Sequence, residues 1–297
     1  MANKSTFVVR FWGTRGSMPT PGPGTCRFGG NTSCIEVNVD GQWLVCDAGT
    51  GLRLLGLDWR ERPSPPKQVH LFLSHSHFDH IQGFPFFAPV FHKDVSITIH
   101  DPTGHGDQMR ERLFGQLVPE YCPVSTEHLA ATIESRPFRH RLSLGPELSV
   151  QTWEQPHPSV SWGYAFESRG RRVVYATDSE LDAQLLGANP TDLSDDQGRQ
   201  FAPEVLSHYR DADLLIADAQ YTTDEYRCRV GWGHPRLATV VDLAIEARVR
   251  RLALFHHDPQ RDDDQVDQLV LQARNRVAEK RASLDVFAAV EGAEIIV

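Results

Sequence analysis

The chain has 297 residues, 40% of them hydrophobic and 23% charged, with a formal net charge of −9 at pH 7. This is ordinary globular composition, with no stretch near the ~20 consecutive apolar residues of a membrane span. The acidic balance also disfavours an obligate nucleic-acid binder, which more often carries a basic surplus. The five cysteines, Cys26, Cys34, Cys46, Cys122 and Cys228, are odd in number and form no C-x-x-C pair. Together with the missing signal-peptide core near the N-terminus, they point to a reducing cytoplasm.

Thr6 to Trp12 reads as a first strand, followed by a Gly/Pro loop from Gly13 to Gly30. Ser33 to Val39 and Trp43 to Cys46 read as strands joined by the turn Asp40-Gly41. Asp47 to Gly51 is a tight turn into a short helical segment, and Arg60 to Lys67 is a connector. Val69 to Leu73 is an apolar strand, Val95 to His100 another. Met109, Leu113, Leu117 and Val118 recur at helical spacing within 104–118. Leu148 to Trp153, Val160 to Glu167 and Arg171 to Ala176 read as antiparallel strands. The stretch from Gly187 to Pro203 is polar and reads as a surface insertion. Asp213 to Ala217 is a buried-type strand. His234-Pro235 is expected to open a helix with Pro235 in its first turn, followed by Leu237, Val240, Val241, Ala244 and Ile245 on one face. Arg251 to Phe255 is a strand, a last helix spans roughly 262–280, and strands close the chain near Leu284 to Phe287 and Glu294 to Val297. Two packed sheets with helices outside, in one domain over residues 1–297, fit this order.

The densest chemistry follows the apolar strand: His75-Ser76-His77-Phe78-Asp79-His80. Imidazole and carboxylate are the ligands that suit zinc and its first-row neighbours. His75 and His77 are two apart and point to one side of an extended segment, while Asp79 and His80, on a turning loop, can face a second ion. One ion does not need four local ligands, so the run suggests a two-metal hydrolase. Further candidates stand at strand ends: His157, Asp178 and His256.

In order, His75, His77, Asp79, His80, His157, Asp178 and His256 resemble the ligand set of the metallo-β-lactamase superfamily. Asp47-x-Gly49 is similar to its early Asp-Gly turn. Phe11-Trp12-Gly13-Thr14-Arg15-Gly16-Ser17, Phe28 to Ser33 and Asp213 to Ala219 resemble the phosphodiesterase and RNase Z-like branch. The resemblance implies an α+β fold, a four-layer αββα sandwich. It implies that His75, His77 and His157 bind one divalent ion, that Asp79, His80 and His256 bind a second, and that Asp178 bridges them, with zinc expected first and manganese or iron as alternatives. A hydroxide held between the ions would be the nucleophile. Asp47 would orient a ligand histidine. His234 would be the general acid, oriented by Asp218, and Asp79 counts among the catalytic carboxylates as well as the ligands. The rival role for His234 is a helix cap, and His257 competes with His256 for the metal.

The expected activity is hydrolysis of a small or cyclic phosphodiester. RNase Z-like processing of tRNA 3′ ends is the alternative, disfavoured because 187–203 sets Asp192, Asp195 and Asp196 against Arg199 alone. A metal-binding scaffold without turnover is the further alternative. Arg15, Arg227 and Arg229 are candidate phosphate contacts, and Trp162 and Trp232 candidate base platforms, with solvated surface and core packing as their ordinary roles. No membrane partner is expected, and a homodimer remains open.

Overall fold

Along the first strand Phe7, Val9 and Phe11 are buried while Val8 and Arg10 are half-buried, the period-two pattern of a strand packed on one face. The computed structural model describes residues 6–104, 106–187, 194 and 198–297. Its strands are β1 (Phe7–Gly13), β2 (Cys34–Val39), β3 (Gln42–Cys46), β4 (Gln68–Phe72), β5 (Ser96–Asp101), β6 (Thr132–Pro137) and β7 (Arg141–Ser143). They continue as β8 (Leu148–Gln155), β9 (Ser161–Ser168), β10 (Arg171–Ala176), β11 (Leu214–Asp218), β12 (Arg251–Phe255), β13 (Asp285–Ala288) and β14 (Glu294–Ile296). The helices are α1 (Gly51–Glu61), α2 (Phe78–Ile81), α3 (Gln108–Phe114), α4 (Pro203–Tyr209), α5 (Thr223–Tyr226), α6 (Leu237–Glu246) and α7 (Asp263–Glu279).

By its internal contacts the chain divides into two compact units. The first holds the chain up to Gly22, Gly29–Leu142 and Val290–Ile296, and the second holds Pro23–Phe28, Ser143–Ala289 and Val297. The sheet of the first unit has the order β14-β1-β2-β3-β4-β5-β6. Its β14, β1, β2 and β3 pair antiparallel, and β3 to β6 pair parallel. α1 turns Leu52, Leu55 and Trp59 inward.

The other sheet runs β13-β12-β11-β10-β9-β8-β7, parallel from β13 to β10 and antiparallel through β9 and β8. β11 (LLIAD) is buried at every position, as a strand covered on both faces must be. α7 buries Val266, Leu269, Val270, Ala273 and Val277 at helical spacing. It starts on a capping box in which Asp262 and Gln265 each bond the other's backbone N–H. Each such valine or leucine contributes about 1.5–3 kcal/mol on full burial.

Four expectations are corrected. Pro235 does not open α6: that helix starts at Leu237 with Arg236 as N-cap, because the Arg236 N–H is held by Asp182 at 2.9 Å. Asp79 and His80 lie on the one-turn helix α2, not on an irregular loop. Strands β6 and β7 and helix α4 were absent from the expected elements, since β6 alternates Ile133 and Ser135 with exposed polar residues and buries little. Of the polar stretch 187–203, residues 188–193 and 195–197 lie outside the described residues. Its Arg199 is buried, with Nε donating to Thr239 at 2.8 Å and Nη1 3.6 Å from Asp242, so it is not a surface charge. No helix among the described residues is long and apolar enough to cross a membrane.

Candidate metal centre

In the first unit parallel neighbours β3 and β4 end side by side, and each hands over a polar residue. After β3 comes Asp47, with a left-handed φ of 61°. Its Oδ1 accepts the Ser74 N–H at 2.7 Å, and its Oδ2 accepts Ser74 Oγ and His80 Nδ1, both at 2.8 Å. After β4 come His75 and His77, with ring centroids 4.4 Å apart. The His75 and His80 rings are 4.2 Å apart. α2 then delivers Asp79 and His80, both buried. The Asp79 carboxylate also accepts the Ser17 N–H at 2.7 Å.

The hydrogen bonding of this half-set fits a cation. Asp47 can only accept, so His80 Nδ1 donates to it and Nε2 carries a lone pair in the neutral ring. That Nε2 stands 3.1 Å from Asp79 Oδ2, which is another acceptor. Two buried acceptors face each other, and a cation reconciles them. Asp47 thus sets a ligand-type tautomer through the far nitrogen, as carboxylates behind metal-bound histidines do.

In the second unit the parallel run β10, β11 and β12 leads to Asp178, two residues past β10, to Asp218, the last residue of β11, and to His256, the first residue past β12. Asp178 (φ 56°) and His256 (φ 54°) turn sharply out of their strands in the left-handed region. Such residues cost about 1–3 kcal/mol each and gather at functional sites. His256 Nε2 lies 3.3 Å from Asp178 Oδ2, and its Nδ1 meets the Gln220 side-chain amide at 2.7 Å. Asp178, His234 and His256 bring one ligand-type atom each within 4.8 Å of one another. His157 Nδ1 donates to the Gly233 carbonyl at 3.1 Å, which leaves Nε2 as its lone-pair atom.

His234 Nδ1 sits 2.9 Å from Asp218 Oδ2 and 3.8 Å from Asp178 Oδ1. Burial pushes the Asp218 carboxyl up, and its bond to His234 pulls it back. His234 is not the cap of α6, since Arg236 occupies that position. His256 and His257 diverge: His257 Nε2 donates to the Ala289 carbonyl at 3.1 Å, and its ring meets Phe28 edge-on. His257 is therefore a core residue, while His256 faces Asp178.

Among the other candidates, Arg15 is fully buried, with Nε donating to the Gly29 carbonyl at 2.7 Å, and so shapes its loop instead of meeting solvent. Arg227 is exposed and paired with Asp224 at 3.0 Å. Arg229 lies over Tyr221 and Trp232. Trp162 is half-buried and Trp232 is exposed. Sequence reasoning missed Ser74, Gln220 and Glu180, three polar residues buried beside the candidates. Their position directly before or two residues after a candidate (Ser74 before His75, Glu180 after Asp178, Gln220 after Asp218) was the available signal.

These features define a metallo-β-lactamase fold, which implies divalent metal ions. The fold is shared with the metallo-β-lactamase fold protein YhfI from Bacillus subtilis, at a TM-score of 0.67 and 18% identity, over 99% of this chain and 100% of that one. It is shared also with the short form of human tRNase Z, at a TM-score of 0.63 and 17% identity, over 97% and 98% of the two chains. The family model described as the Beta-lactamase superfamily domain matches residues 42–257, and the chain belongs to that family. A curated relative, ribonuclease Z from Haloarcula marismortui, is 25% identical over 307 residues, covering 91% of this chain and 92% of that protein.

Proposed function

We propose that this chain is a cytoplasmic, metal-dependent phosphodiesterase acting on a small or cyclic phosphodiester. The observation that carries the reading is the His234–Asp218 pair, 2.9 Å apart, with its imidazole 3.8 Å from Asp178. A scaffold that only holds metal has no use for a buried carboxylate–imidazole pair beside a ligand.

The reading assigns His75, His77 and His157 to one divalent ion and Asp79, His80 and His256 to another, with Asp178 shared and zinc as the expected metal. When bound, two such ions neutralise phosphoryl oxygens and activate a water. The chain's own residues supply the rest. Asp218 takes the Nδ1 proton of His234 as a hydrogen bond and stabilises the imidazolium, so that Nε2 holds a proton for the departing oxygen. Asp47 fixes the His80 ring and the Gly233 carbonyl fixes the His157 ring, each through Nδ1.

Ribonuclease Z activity is the second reading, favoured by the curated relative of that name. Against it stand the net charge of −9 and the acidic stretch 187–203, whose Arg199 is turned inward. The test compares initial rates of metal-loaded protein on bis-p-nitrophenyl phosphate, 3′,5′-cyclic nucleotides and a 3′-extended precursor tRNA, with His77→Ala as control. Turnover of the first two, abolished in the variant, supports the proposal. Cleavage of tRNA alone replaces it with ribonuclease Z.

A further inference from the structure

The segment from Tyr226 to His234 is held by one buried carboxylate. Glu180 is 6% exposed. Its Oε1 accepts the Tyr226 hydroxyl and the Gly231 N–H, both at 2.7 Å, and its Oε2 accepts the Gly233 N–H at 2.9 Å. Burial and that bond keep the Tyr226 hydroxyl protonated, as a donor must be. The Glu180 N–H itself donates to the Pro156 carbonyl at 2.7 Å, next to His157. Glu180 thus ties together the loops that present His157, Asp178 and His234.

What this rigid segment displays is an indole. Trp232 is 60% exposed, while the other five tryptophans are buried or half-buried. It stands between Gly231 and Gly233, two residues from His234. Gly233 has a φ of +90°, and a Cβ there would lie 2.1 Å from His157 Nδ1, so the backbone beside the indole is fixed against that ring. The Arg229 guanidinium lies 5.9 Å from the Trp232 ring and 5.1 Å from Tyr221, and the Tyr221 ring meets His234 edge-on at 6.1 Å. An aromatic face and a cation are therefore arrayed on the same loop as the acid. Leaving an indole in water while its backbone is pinned on both sides contributes nothing to folding, and it suits capture of a flat ring.

We propose that Trp232 is a specificity-determining residue that stacks the base of a nucleotide whose phosphate lies beside His234, with Arg229 backing the indole and Glu180 as its positioning residue. The inference rests on the phosphodiesterase reading only in placing the phosphate beside His234.

The test is calorimetric titration of the metal-loaded protein with adenosine 5′-monophosphate and with ribose 5-phosphate, which share a phosphate and differ by the base. The protein is expected to prefer the nucleotide by on the order of tenfold, the discrimination one base–aromatic stack gives. Trp232→Ala is expected to erase the preference without changing the affinity for ribose 5-phosphate, Trp232→Phe to restore most of it, and Glu180→Gln to reduce it. Equal affinities in the unaltered protein, a preference that survives Trp232→Ala, or binding of neither ligand each overturns the proposal. Turnover of bis-p-nitrophenyl phosphate separates the two readings. Turnover without base preference removes only the stacking role, and base preference without turnover removes only the phosphodiesterase.

Discussion

Gly83 lies in backbone contact with Gly49: a Cβ added at residue 83 would stand 1.9 Å from the Gly49 carbonyl oxygen. The contact is stitched by Ala48 N–H to the His80 carbonyl at 2.7 Å and Gly83 N–H to the Ala48 carbonyl at 2.8 Å. It locks the turn carrying Asp47 to the turn carrying Asp79 and His80. Gly83→Ala is expected to cost about 1–3 kcal/mol as an overpacked contact. It should also lower metal content, because the Asp47–His80 bond is displaced. Urea midpoints and metal analysis read both effects, and an unchanged midpoint with full metal content would sink the account.

Asp47→Asn keeps the shape but turns a donor toward His80 Nδ1. The tautomer is no longer fixed, and metal affinity is expected to fall about 10–100-fold, the usual effect of losing a partner behind a ligand. Competition against a chelating dye measures this. The far-ultraviolet circular dichroism should not change.

His256→Ala and His257→Ala should differ in kind. The first removes a group facing Asp178 and is expected to lower metal stoichiometry and rate. The second breaks a core hydrogen bond to Ala289 and is expected to lose about 1–3 kcal/mol of stability with metal stoichiometry retained. Reversed outcomes would make His257 the ligand.

Acid should weaken the fold through a second pair of histidines. His70 Nδ1 and His100 Nε2 are 2.9 Å apart, so one ring donates and the other accepts, and His100 stacks on Phe72 at 4.6 Å. Burial, then the charges of His70 and Arg136, push His100 down to about 3, and burial lowers His70 as well. Both rings are neutral when folded and take up protons more readily when unfolded. Their stabilisation is thus fully present above the unfolded value near 6.5. For His100 it is lost as the pH falls from there toward about 3, at up to about 1.4 kcal/mol per pH unit, and the lowered His70 adds a loss of the same sign. Urea midpoints of metal-free protein at pH 7 and pH 4.5 should differ more for the unaltered chain than for His100→Phe. Parallel lines would contradict this.

Chelation should lower thermal stability. A metal held at one hundred times its dissociation constant adds about 2.7 kcal/mol. The melting temperature should therefore fall on dialysis against chelator and return on adding zinc, in proportion to metal bound. A melting temperature indifferent to metal would argue that the half-sets hold none.

His75, Asp178 and His256 were legible as candidates because each is a polar residue within three positions of the end of an apolar strand, a pattern that survives any uncertainty in strand limits. The parallel core strands were legible for the same reason. Elements that bury little were not: β6 carries no continuous apolar face, and α2 is a single turn whose sequence is all site chemistry. Arg15 and Arg199 were misjudged because a charged residue reads as surface until its buried partner is known. For Arg199, partners Thr239 and Asp242 lie about forty positions away. Glu180 was missed because its partners are backbone N–H groups of Gly231 and Gly233, which no side-chain pattern records.

The pairing of β14 with β1 has a consequence for how the protein is made. Val8 to Arg10 find their edge partners only in Glu294 to Ile296. At about 5–20 residues added per second, roughly 15–60 s of translation separates the two segments. Throughout that interval β1 exposes unpaired backbone groups along one side, a template for joining a neighbouring chain. The nascent protein therefore carries an adhesive edge until residues 294–296 have been made, and slower ribosomes prolong that exposure.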